Sequence, residues 1–563
     1  LEKHFFFFLT KLVGVRRFMI GWISLILVTI FGVGLQLRAL TTSYQRLSPA
    51  PGGIYSEGVI GIFTNASPLY AAGAVDNTVS RLVFSGLMKY DQQNKLVGDL
   101  AKSVDIDAKG RVYTVTLKPD IKWHDGHKLT ADDVVFTYRT IQNPDAKSPL
   151  SSSWRGIKIE AKDEKTIVFT LPNVLSSFPY ALTNGIVPKH ILESIPATQL
   201  RSVRFNTVEP IGSGPFKWGS IEVVGGGVDD RQEKIGLTAN EQYYDGPPKL
   251  QQFVVRSFRN EKNMLDSFNH QELNGMSGLD TLPDTVNTED LAVTEHNIPL
   301  TGQVAVFFKN TEGPLSDQKV RQALVQAARP SEIIADLKYP VRVSNSPLLT
   351  SHLGYDPKVT QLSPNQEAAK QLLDADGWVV GADGIRTKGG TPLMIRLFSR
   401  NTSEYAYVSQ KLQEQWKQIG VDVQPILQPN DEFDGTITRH EYDALLYGIA
   451  LGLDPDVFPY WHSTQADIRS PNRLNFSEYK SKVADKSLEA GRTRSDPAIR
   501  AIKYRPFLES WRNDAPALIL YQPRYLYVTQ GSLYNFDPKI INSATDRFAN
   551  ITNWMIVEEK VNR

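Results

Sequence analysis

The sequence predicts an α/β protein of more than one domain that follows a single transmembrane helix. Its 563 residues far exceed the length of one ordinary hydrophobic core. Residues Phe18 to Leu37 carry no charged side chain, and a helix of that length spans roughly 30 Å of hydrocarbon. A helical stripe over Ser403–Ile419 runs through Gly420 into the strand Val421–Ile426, which is the helix-then-strand order of an α/β domain.

Composition excludes several classes of protein. Lysine and arginine number 62 against 61 acidic residues, a net charge of +1, and no long basic run is present, so nucleic acid is not an expected partner. The chain has no cysteine. Disulfides, thiolate catalysis, cysteine-type zinc sites and a thioether lipid anchor are therefore excluded.

The N-terminal region predicts a membrane anchor. Residues 1–17 are basic, with lysine at 3 and 11 and arginine at 16 and 17, so the positive-inside bias places this end in the cytoplasm. Residues 18–37 form the anchor, and no cleavage site like that of a signal peptide follows them. Residues 38–58 contain Pro49, Pro51, Gly52 and Gly53 and predict a linker. The globular part, beginning with a strand at Val59–Phe63, is then extracytoplasmic.

The stretch Arg111–Ile141 predicts a strand, a hairpin and a helix. Tyr113, Val115 and Leu117 alternate with polar residues, which is typical of a half-buried strand. Asp125-Gly126 is a turn pair. Thr130, with an acidic residue three positions on, predicts a helix N-cap and capping box.

Two histidines in this stretch raise the question of a metal site. His124, Asp125 and His127 lie close together in His-Asp-Gly-His. They fall on a turn, however, and no further ligand cluster lies nearby in sequence. The turn and cap account for these residues, so we expect neither a metal site nor a cofactor here.

A second informative stretch is Tyr442–Trp461. Ala444 to Ala450 is a continuous apolar run, typical of a buried strand. Asp454-Pro455-Asp456 follows it and predicts a turn that exposes carboxylates.

Six motifs along the chain resemble one family in the family's own order. Trp123–Val134 resembles the pattern F-H-D-G-x-P-L-T-A-x-D-V of the peptide/nickel family of extracytoplasmic solute-binding proteins that serve ABC importers. His127-Lys128 stands where that family usually has a residue followed by proline. The other five similar segments are Pro210–Phe216, Asn240–Pro248, Pro314–Leu324, Glu367–Trp378 and Phe507–Tyr521. The chain is thus similar to family 5, the dipeptide/oligopeptide-binding type, from about Thr64 to Tyr521.

The resemblance implies a two-lobed periplasmic-binding-protein-like fold with an extra subdomain in the first lobe. Residues 59–303 would form that lobe, 304–522 the second lobe, and 523–563 a return to the first. The implied function is capture of oligopeptide-like ligands in the interlobe cleft and their delivery to an ABC permease and ATPase at the cell membrane. The expected mechanism is binding without catalysis.

The resemblance also implies a ligand site at strand ends. In the family an acidic residue three positions before Asp-Pro-Asp commonly holds a peptide's ammonium, but here that position is Leu451. Either Asp454 or Asp456 replaces it, or the ligand lacks a free amine. The full expected ligand-binding set is Thr64, Asn65, Ser67, Arg400, Asn401, Tyr447, Gly448, Ile449, Ala450, Leu451, Asp454 and Trp461.

Three alternatives stay open. The first is a solute-binding protein whose ligand is nickel, a metal chelate or another solute. The second is a peptide sensor that takes no part in transport. The third is an extracellular enzyme. An extracellular hydrolase would need Ser213 or the pair Asp454 and Asp456. The Gly-x-Ser-x-Gly elbow is absent around Ser213, because Ile211 stands where its first glycine would be.

Overall fold

The structure, a computed structural model, describes residues 2–227, 230–288, 292–337, 339, 341–470, 473–494 and 496–562. The strands over these residues are β1 (Gln45–Ala50), β2 (Ile54–Ile60), β3 (Met88–Tyr90), β4 (Leu96–Gly98), β5 (Ala101–Ile106), β6 (Val112–Leu117), β7 (Lys158–Ala161), β8 (Thr166–Thr170), β9 (Phe216–Val224), β10 (Gln232–Ala239), β11 (Gln252–Phe258), β12 (Gly275–Ser277), β13 (Val293–Pro299), β14 (Gly302–Phe308), β15 (Arg342–Val343), β16 (Val379–Val380), β17 (Arg386–Lys388), β18 (Thr391–Pro392), β19 (Met394–Arg400), β20 (Asp422–Gln428), β21 (Ala444–Ala450), β22 (Ala517–Gln522), β23 (Arg524–Gln530) and β24 (Val557–Asn562). The α-helices are α1 (Glu2–Tyr44), α2 (Ala74–Val83), α3 (Ala131–Gln142), α4 (Phe178–Ala181), α5 (Lys189–Leu192), α6 (Glu261–Asn269), α7 (Gln318–Ala327), α8 (Pro330–Ala335), α9 (Gln366–Ala375), α10 (Ser403–Lys417), α11 (Asn430–Arg439), α12 (Phe458–Trp461), α13 (Lys482–Arg492) and α14 (Pro497–Asp514).

The first lobe is built on a seven-stranded mixed sheet in the order β13-β23-β12-β2-β11-β10-β9. β2 lies in its centre, parallel to β11 on one side and to β12 on the other. β12, from the first half of the chain, thus pairs with β23, which lies close to the C-terminal end of the chain. The lobe's main core draws on both parts of the chain, from Tyr55 to Trp554.

The second lobe is built on a six-stranded sheet in the order β15-β22-β14-β21-β19-β20. β19 runs parallel to β20 and β21, while β14 runs antiparallel to β21 and β22. The predicted buried strand Ala444–Ala450 is confirmed as β21. Its neighbour β14 is buried at every position, because each face of this sheet carries its own hydrophobic core.

The chain passes between the two sheets twice. It leaves the first sheet at Pro299 and enters the second at Gly302, and it returns between Gln522 and Arg524. The two connections lie side by side, because Leu300 donates its backbone N–H to the Pro523 carbonyl at 2.9 Å. The predicted domain limits at 304 and 523 stay predictions, although the strands change sheet close to them.

A four-stranded antiparallel sheet, β5-β6-β8-β7, stands beside the seven-stranded sheet and packs with α3 into the same core. The capping box at the start of α3 is confirmed: the Asp133 carboxylate accepts a hydrogen bond from the Thr130 backbone N–H at 2.8 Å. This unit occupies the place of the extra subdomain expected in the first lobe.

The N-terminal helix has one segment suited to a membrane. Of the described helices, only α1 contains a segment long and apolar enough to cross one, the 22 residues Phe18–Ala39, and none of that segment is buried in the protein. This agrees with the anchor predicted at residues 18–37.

The prediction of a linker over residues 38–58 is wrong in the structure. Helix α1 continues to Tyr44, β1 pairs with β24, and β2 is a central strand. The first strand of the sheet accordingly begins at Ile54, not at the predicted Val59. Local prolines and glycines predicted a flexible tether, but the partners of β2 lie some 200 positions further along the chain.

His124 has a structural role in the first lobe. Its Nδ1 accepts a hydrogen bond from the Gly212 N–H at 3.2 Å, and its Nε2 lies 3.0 Å from the Gly214 carbonyl. The side chain therefore ties the hairpin turn to the segment Pro210–Phe216. Burial lowers the pKa of His124 to about 4, because a charged imidazole is costly there.

This burial predicts a specific loss of stability in acid. The pKa of His124 is lower in the folded than in the unfolded protein, so the stabilisation is complete above about pH 6.5 and is lost as the pH falls towards 4. The loss should reach about 3 kcal/mol of unfolding free energy. Urea denaturation at several pH values should show this dependence in the parent chain and much less of it in His124→Gln. Equal pH dependence in the two proteins would contradict the assignment.

Candidate functional site

The topology brings the carboxyl ends of parallel strands from both sheets to one place. Ile60 and Ser277 end β2 and β12 in the first lobe, while Arg400 and Ala450 end β19 and β21 in the second. The register places these ends towards the two connections: Ser277 pairs with Tyr527, three residues after the start of β23, and Ala450 pairs with Gly302. Crevices at the carboxyl ends of strands are the usual ligand sites of α/β folds. The candidate site is therefore the cleft between the lobes.

An arginine and two tyrosines form part of the second lobe's wall. The Arg400 guanidinium lies 5.9 Å from the Tyr447 ring centroid and 3.3 Å from the Asp434 carboxylate. Within the described part of the chain, its buried Nε has no hydrogen-bond partner. A Cβ placed on Gly448 would lie 3.0 Å from the Tyr405 hydroxyl, and burial raises the pKa of Tyr405. The wall thus combines aromatic surface with one cation.

A polar cluster lies beside the connections. The Glu404 carboxylate accepts hydrogen bonds from the hydroxyls of Tyr339 and, at 2.6 Å, Tyr521. Arg524 stacks 3.5 Å from the centroid of the Tyr339 ring and donates to the Asp280 backbone carbonyl at 2.6 Å. This cluster connects the end of β12 in the first lobe to the second lobe.

The segment after β21 is fixed by the first connection. Leu451 donates its backbone N–H to the Thr301 carbonyl at 2.9 Å, and its side chain packs against the second-lobe core. The Tyr460 hydroxyl donates to the Ala450 carbonyl at 2.6 Å. Burial raises the pKa of Tyr460 to about 12. Leu451 thus presents no charge at the position where the family commonly has an acid.

The two aspartates of Asp454-Pro455-Asp456 already have cationic partners. Arg500 donates to both oxygens of Asp454, at 2.7 and 3.0 Å, and each side chain is 9% exposed. Arg492 donates to Asp456 at 3.0 Å. The prediction that this turn exposes carboxylates is therefore wrong, because both aspartate side chains are largely buried and each is paired with an arginine.

Asp456 also joins the lobes. Ser177 of the first lobe donates to its Oδ2 at 3.2 Å, and the Ser176 backbone N–H donates to the Arg492 carbonyl at 3.1 Å. Burial raises the pKa of Asp456, and the Arg492 cation opposes this effect. These contacts join the two lobes in addition to the two chain connections.

The polar residues after β2 mostly form hydrogen bonds within their own loop and with Asp76. Asp76 accepts hydrogen bonds from the Thr64 hydroxyl at 2.6 Å and from the backbone N–H groups of Thr64 and Asn65 at 2.7 and 3.0 Å. The Asn65 side chain accepts from the Ser67 N–H at 2.8 Å. Asn65 and Ser67 are buried, whereas Thr64 is exposed. Only Thr64 of these three has an exposed side chain.

Two further residues are inaccessible. Trp461 is completely buried and packs against Phe307 and Trp511 at centroid distances of 5.7 and 5.6 Å, so its predicted ligand contact is wrong in this conformation. Ser213 is also completely buried, and nothing assembles a hydrolase site around it in the described residues.

The other expected residues lie in or just after the strands whose ends flank the cleft. Thr64 follows β2 in the first lobe, Arg400 and Asn401 lie at the end of β19, and the rest lie in or just after β21: Tyr447, Gly448, Ile449, Ala450 and Leu451. Of these, Ile449 is 5% exposed and packs in the second-lobe core. Their roles in binding stay predictions. Sequence reasoning missed Ser177, Asp280, Glu404, Tyr405 and Arg524, because each reaches the cleft only through pairings distant in sequence.

Comparisons with known proteins agree with this geometry. Residues 95–470 match the family of bacterial extracellular solute-binding proteins, family 5 (middle region). The oligopeptide-binding protein AppA of Bacillus subtilis is 27% identical over 521 residues, covering 87% of this chain and 92% of AppA. Its structure with a nonapeptide aligns with a TM-score of 0.71 at 26% identity, covering 91% of this chain and 100% of that one. NikZ of Campylobacter jejuni, solved with Ni(L-His), aligns with a TM-score of 0.74 at 25% identity, covering 89% and 99%.

The family match spans well over half of the chain and includes the hairpin, five of the six strands of the second-lobe sheet and the Asp-Pro-Asp turn. The fold and the interlobe cleft fit the same family. The chain belongs to the bacterial extracellular solute-binding proteins, family 5.

Proposed function

We propose that this protein captures oligopeptides in the interlobe cleft and delivers them to an ABC importer. The observation that carries the proposal is the convergence of strand ends from both lobes on a cleft lined by tyrosines and Arg400. The nonapeptide complex of AppA supports a peptide as ligand. The mechanism is binding and release, with no bond broken.

Strand ends suit a peptide of variable sequence. Backbone groups at the carboxyl ends of β19 and β21 offer hydrogen bonds that do not depend on the ligand's side chains. Tyr405 and Tyr447 supply aromatic surface with polar tips. The cation of Arg400, stacked on Tyr447, is suited to a ligand carboxylate.

The free amine of the peptide is not paired with an acid of the Asp-Pro-Asp turn. Asp454 forms an ion pair with Arg500, and Asp456 forms one with Arg492, while Leu451 is apolar. An ammonium buried against Leu451 would remain uncompensated, at a cost of several kcal/mol. We therefore infer that the ligand's N-terminus is recognised through its backbone, or extends to solvent.

Lobe closure couples binding to delivery. The two connections at residues 299–302 and 522–524 act as a hinge, and the contact of Ser177 with Asp456 stabilises the closed form. The apolar segment Phe18–Ala39 anchors the receptor in the cell membrane with its lobes outside. Permease and ATPase subunits are the expected partners.

Calorimetric titration of the full chain in detergent with di- to octapeptides, each with a free and an acetylated N-terminus, tests the proposal. We expect binding that changes little on acetylation. Ala450→Trp places a bulky group at the exposed end of β21 and should lower affinity by at least tenfold, or about 1.4 kcal/mol. Ala108→Trp, at an exposed turn of the four-stranded sheet, is the matched control. No binding to either peptide set would overturn the proposal.

A metal chelate is the second candidate, favoured by the Ni(L-His) complex of NikZ and by the cation of Arg400, which suits a chelating carboxylate. Titration with nickel and histidine together, in the parent chain and in Ala450→Trp, tests it. Binding of the chelate but not of peptides, lost in the variant, would establish this candidate instead. Uptake of labelled peptide by cells with and without the permease separates a transport receptor from a sensor.

A further inference from the structure

A cluster of two histidines and one aspartate lies in the first lobe. Asp125 and His127 are in the hairpin turn before α3, and His190 is in α5, 65 positions after Asp125. One ligand atom from each residue lies within 4.8 Å of the other two. His127 Nδ1 is 3.2 Å from Asp125 Oδ1, and His190 Nε2 is 2.8 Å from Asp125 Oδ2. The hydrogen bonds and ring contacts described for these three residues lie within the first lobe.

The backbone around the cluster is well fixed. Trp123 donates its N–H to the His127 carbonyl at 2.8 Å, and Gly126 donates to the Trp123 carbonyl at 2.9 Å. On the other side, Lys189 donates its N–H to Asp133 at 2.9 Å at the start of α5. The three possible metal ligands therefore lie close together because the hairpin turn and the start of α5 are adjacent. Each of these two segments is held in place by its own hydrogen bonds.

The spacing and the donor types suit a transition metal ion. Ligand atoms around tetrahedral zinc, bound at about 2.0–2.1 Å, are about 3.3 Å apart, close to the separations here. Two imidazoles and a carboxylate are ligands that zinc, nickel and copper accept. The His127 and His190 rings lie side by side, 4.3 Å apart, and their nearest ligand nitrogens are within 4.8 Å of each other, a separation that one bound ion and a small rotation of the side chains can bridge.

The surroundings leave the site open and do not oppose a cation. The side chains of His127, His190 and Asp125 are 65%, 30% and 22% exposed, so water can complete the coordination. The neighbouring Lys128 and Lys189 are paired with Glu164 and Asp132 at 2.6 and 3.4 Å.

We propose that Asp125, His127 and His190 form a binding site for one divalent transition metal ion, separate from the interlobe cleft. The ion would join the hairpin turn to α5 and so connect two segments of the first lobe. The site is independent of the proposed peptide binding, because it uses none of the cleft residues.

The test is calorimetric titration of the full chain in detergent, freed of metal by a chelator, with zinc chloride and then with nickel chloride alone. We expect one ion per chain. Mutation of a residue that only hydrogen-bonds to a metal ligand typically lowers metal affinity by about 10–100-fold. His190→Ala removes a ligand itself, so we expect its affinity for the ion to fall by at least that factor. Asp125→Asn, which keeps an oxygen for the His127 N–H, should also bind more weakly. His270→Ala, an exposed histidine of the same lobe, is the control and should bind like the parent.

Three results would overturn the proposal: no binding of either ion to the parent, an unchanged isotherm in His190→Ala, or an equal loss in His270→Ala. Titration of Ala450→Trp distinguishes this site from a chelate in the cleft. The variant should keep its affinity for the bare ion even if it loses every cleft ligand.

Discussion

Replacing Arg547 by methionine is expected to lower the free energy of unfolding by about 3–5 kcal/mol. Arg547 and Glu57 form an ion pair whose side chains are 1% and 0% exposed. Glu57 also accepts a hydrogen bond from the Tyr527 hydroxyl at 2.8 Å, and that hydroxyl lies 2.6 Å from the hydroxyl of Tyr55. Removing the guanidinium leaves a carboxylate in the centre of the first-lobe sheet without its cation.

The second partner of the pair provides the control. Glu57→Gln combined with Arg547→Met removes both charges and keeps an oxygen for the Tyr527 hydroxyl. The double variant should be more stable than Arg547→Met alone, since a coupling of about 0.5–3 kcal/mol is typical of residues in direct contact.

Urea denaturation followed by tryptophan fluorescence measures both effects, because Trp554 lies 5.5 Å from Tyr55 in the same cluster. A loss below about 1 kcal/mol in Arg547→Met would contradict the predicted role, as that is the range of exposed pairs.

Asp454→Ala is expected to destabilise the protein by about 3 kcal/mol while leaving ligand affinity nearly unchanged. The variant leaves the Arg500 guanidinium, 9% exposed, without a counterion. Because Asp454 is bonded through both oxygens to Arg500, we expect it not to contact the ligand. Affinity for a free-amine peptide should therefore change by less than threefold, or about 0.6 kcal/mol.

Asp467→Ala is the matched control, because the pair of Asp467 with Arg469 is exposed and should contribute little to stability. Denaturation and peptide titration of both variants check the prediction. A large loss of affinity confined to free-amine peptides would show instead that Asp454 holds the ammonium.

Local pattern was sufficient for the elements whose structure depends on neighbours in sequence. The alternation at Tyr113, Val115 and Leu117, the cap at Thr130 and the apolar run Ala444–Ala450 are all confirmed. Composition likewise identified the apolar segment of α1. In each case the determining interactions reach only a few residues along the chain.

Predictions from the local sequence pattern were wrong where a residue's environment is formed by a segment that is distant in sequence. Ile54–Gly58 was expected to be part of a linker, although it belongs to β2, the central strand of the first lobe. Asp454 and Trp461 were expected to face a ligand, although Arg500 and the second-lobe core enclose them. The partner that decides each role is absent from the local sequence.

The sequence by itself thus determined the apolar segment of α1, the strand β6, the cap of α3, the buried strand β21, and the family to which the chain is similar. Only the tertiary structure decided which carboxylates are neutralised, which strand ends line the cleft, and that His190 joins Asp125 and His127. The reason is physical. Periodicity and capping are short-range, whereas the burial of Glu57 depends on an arginine 490 positions away, and such pairings exist only once the sheets have formed.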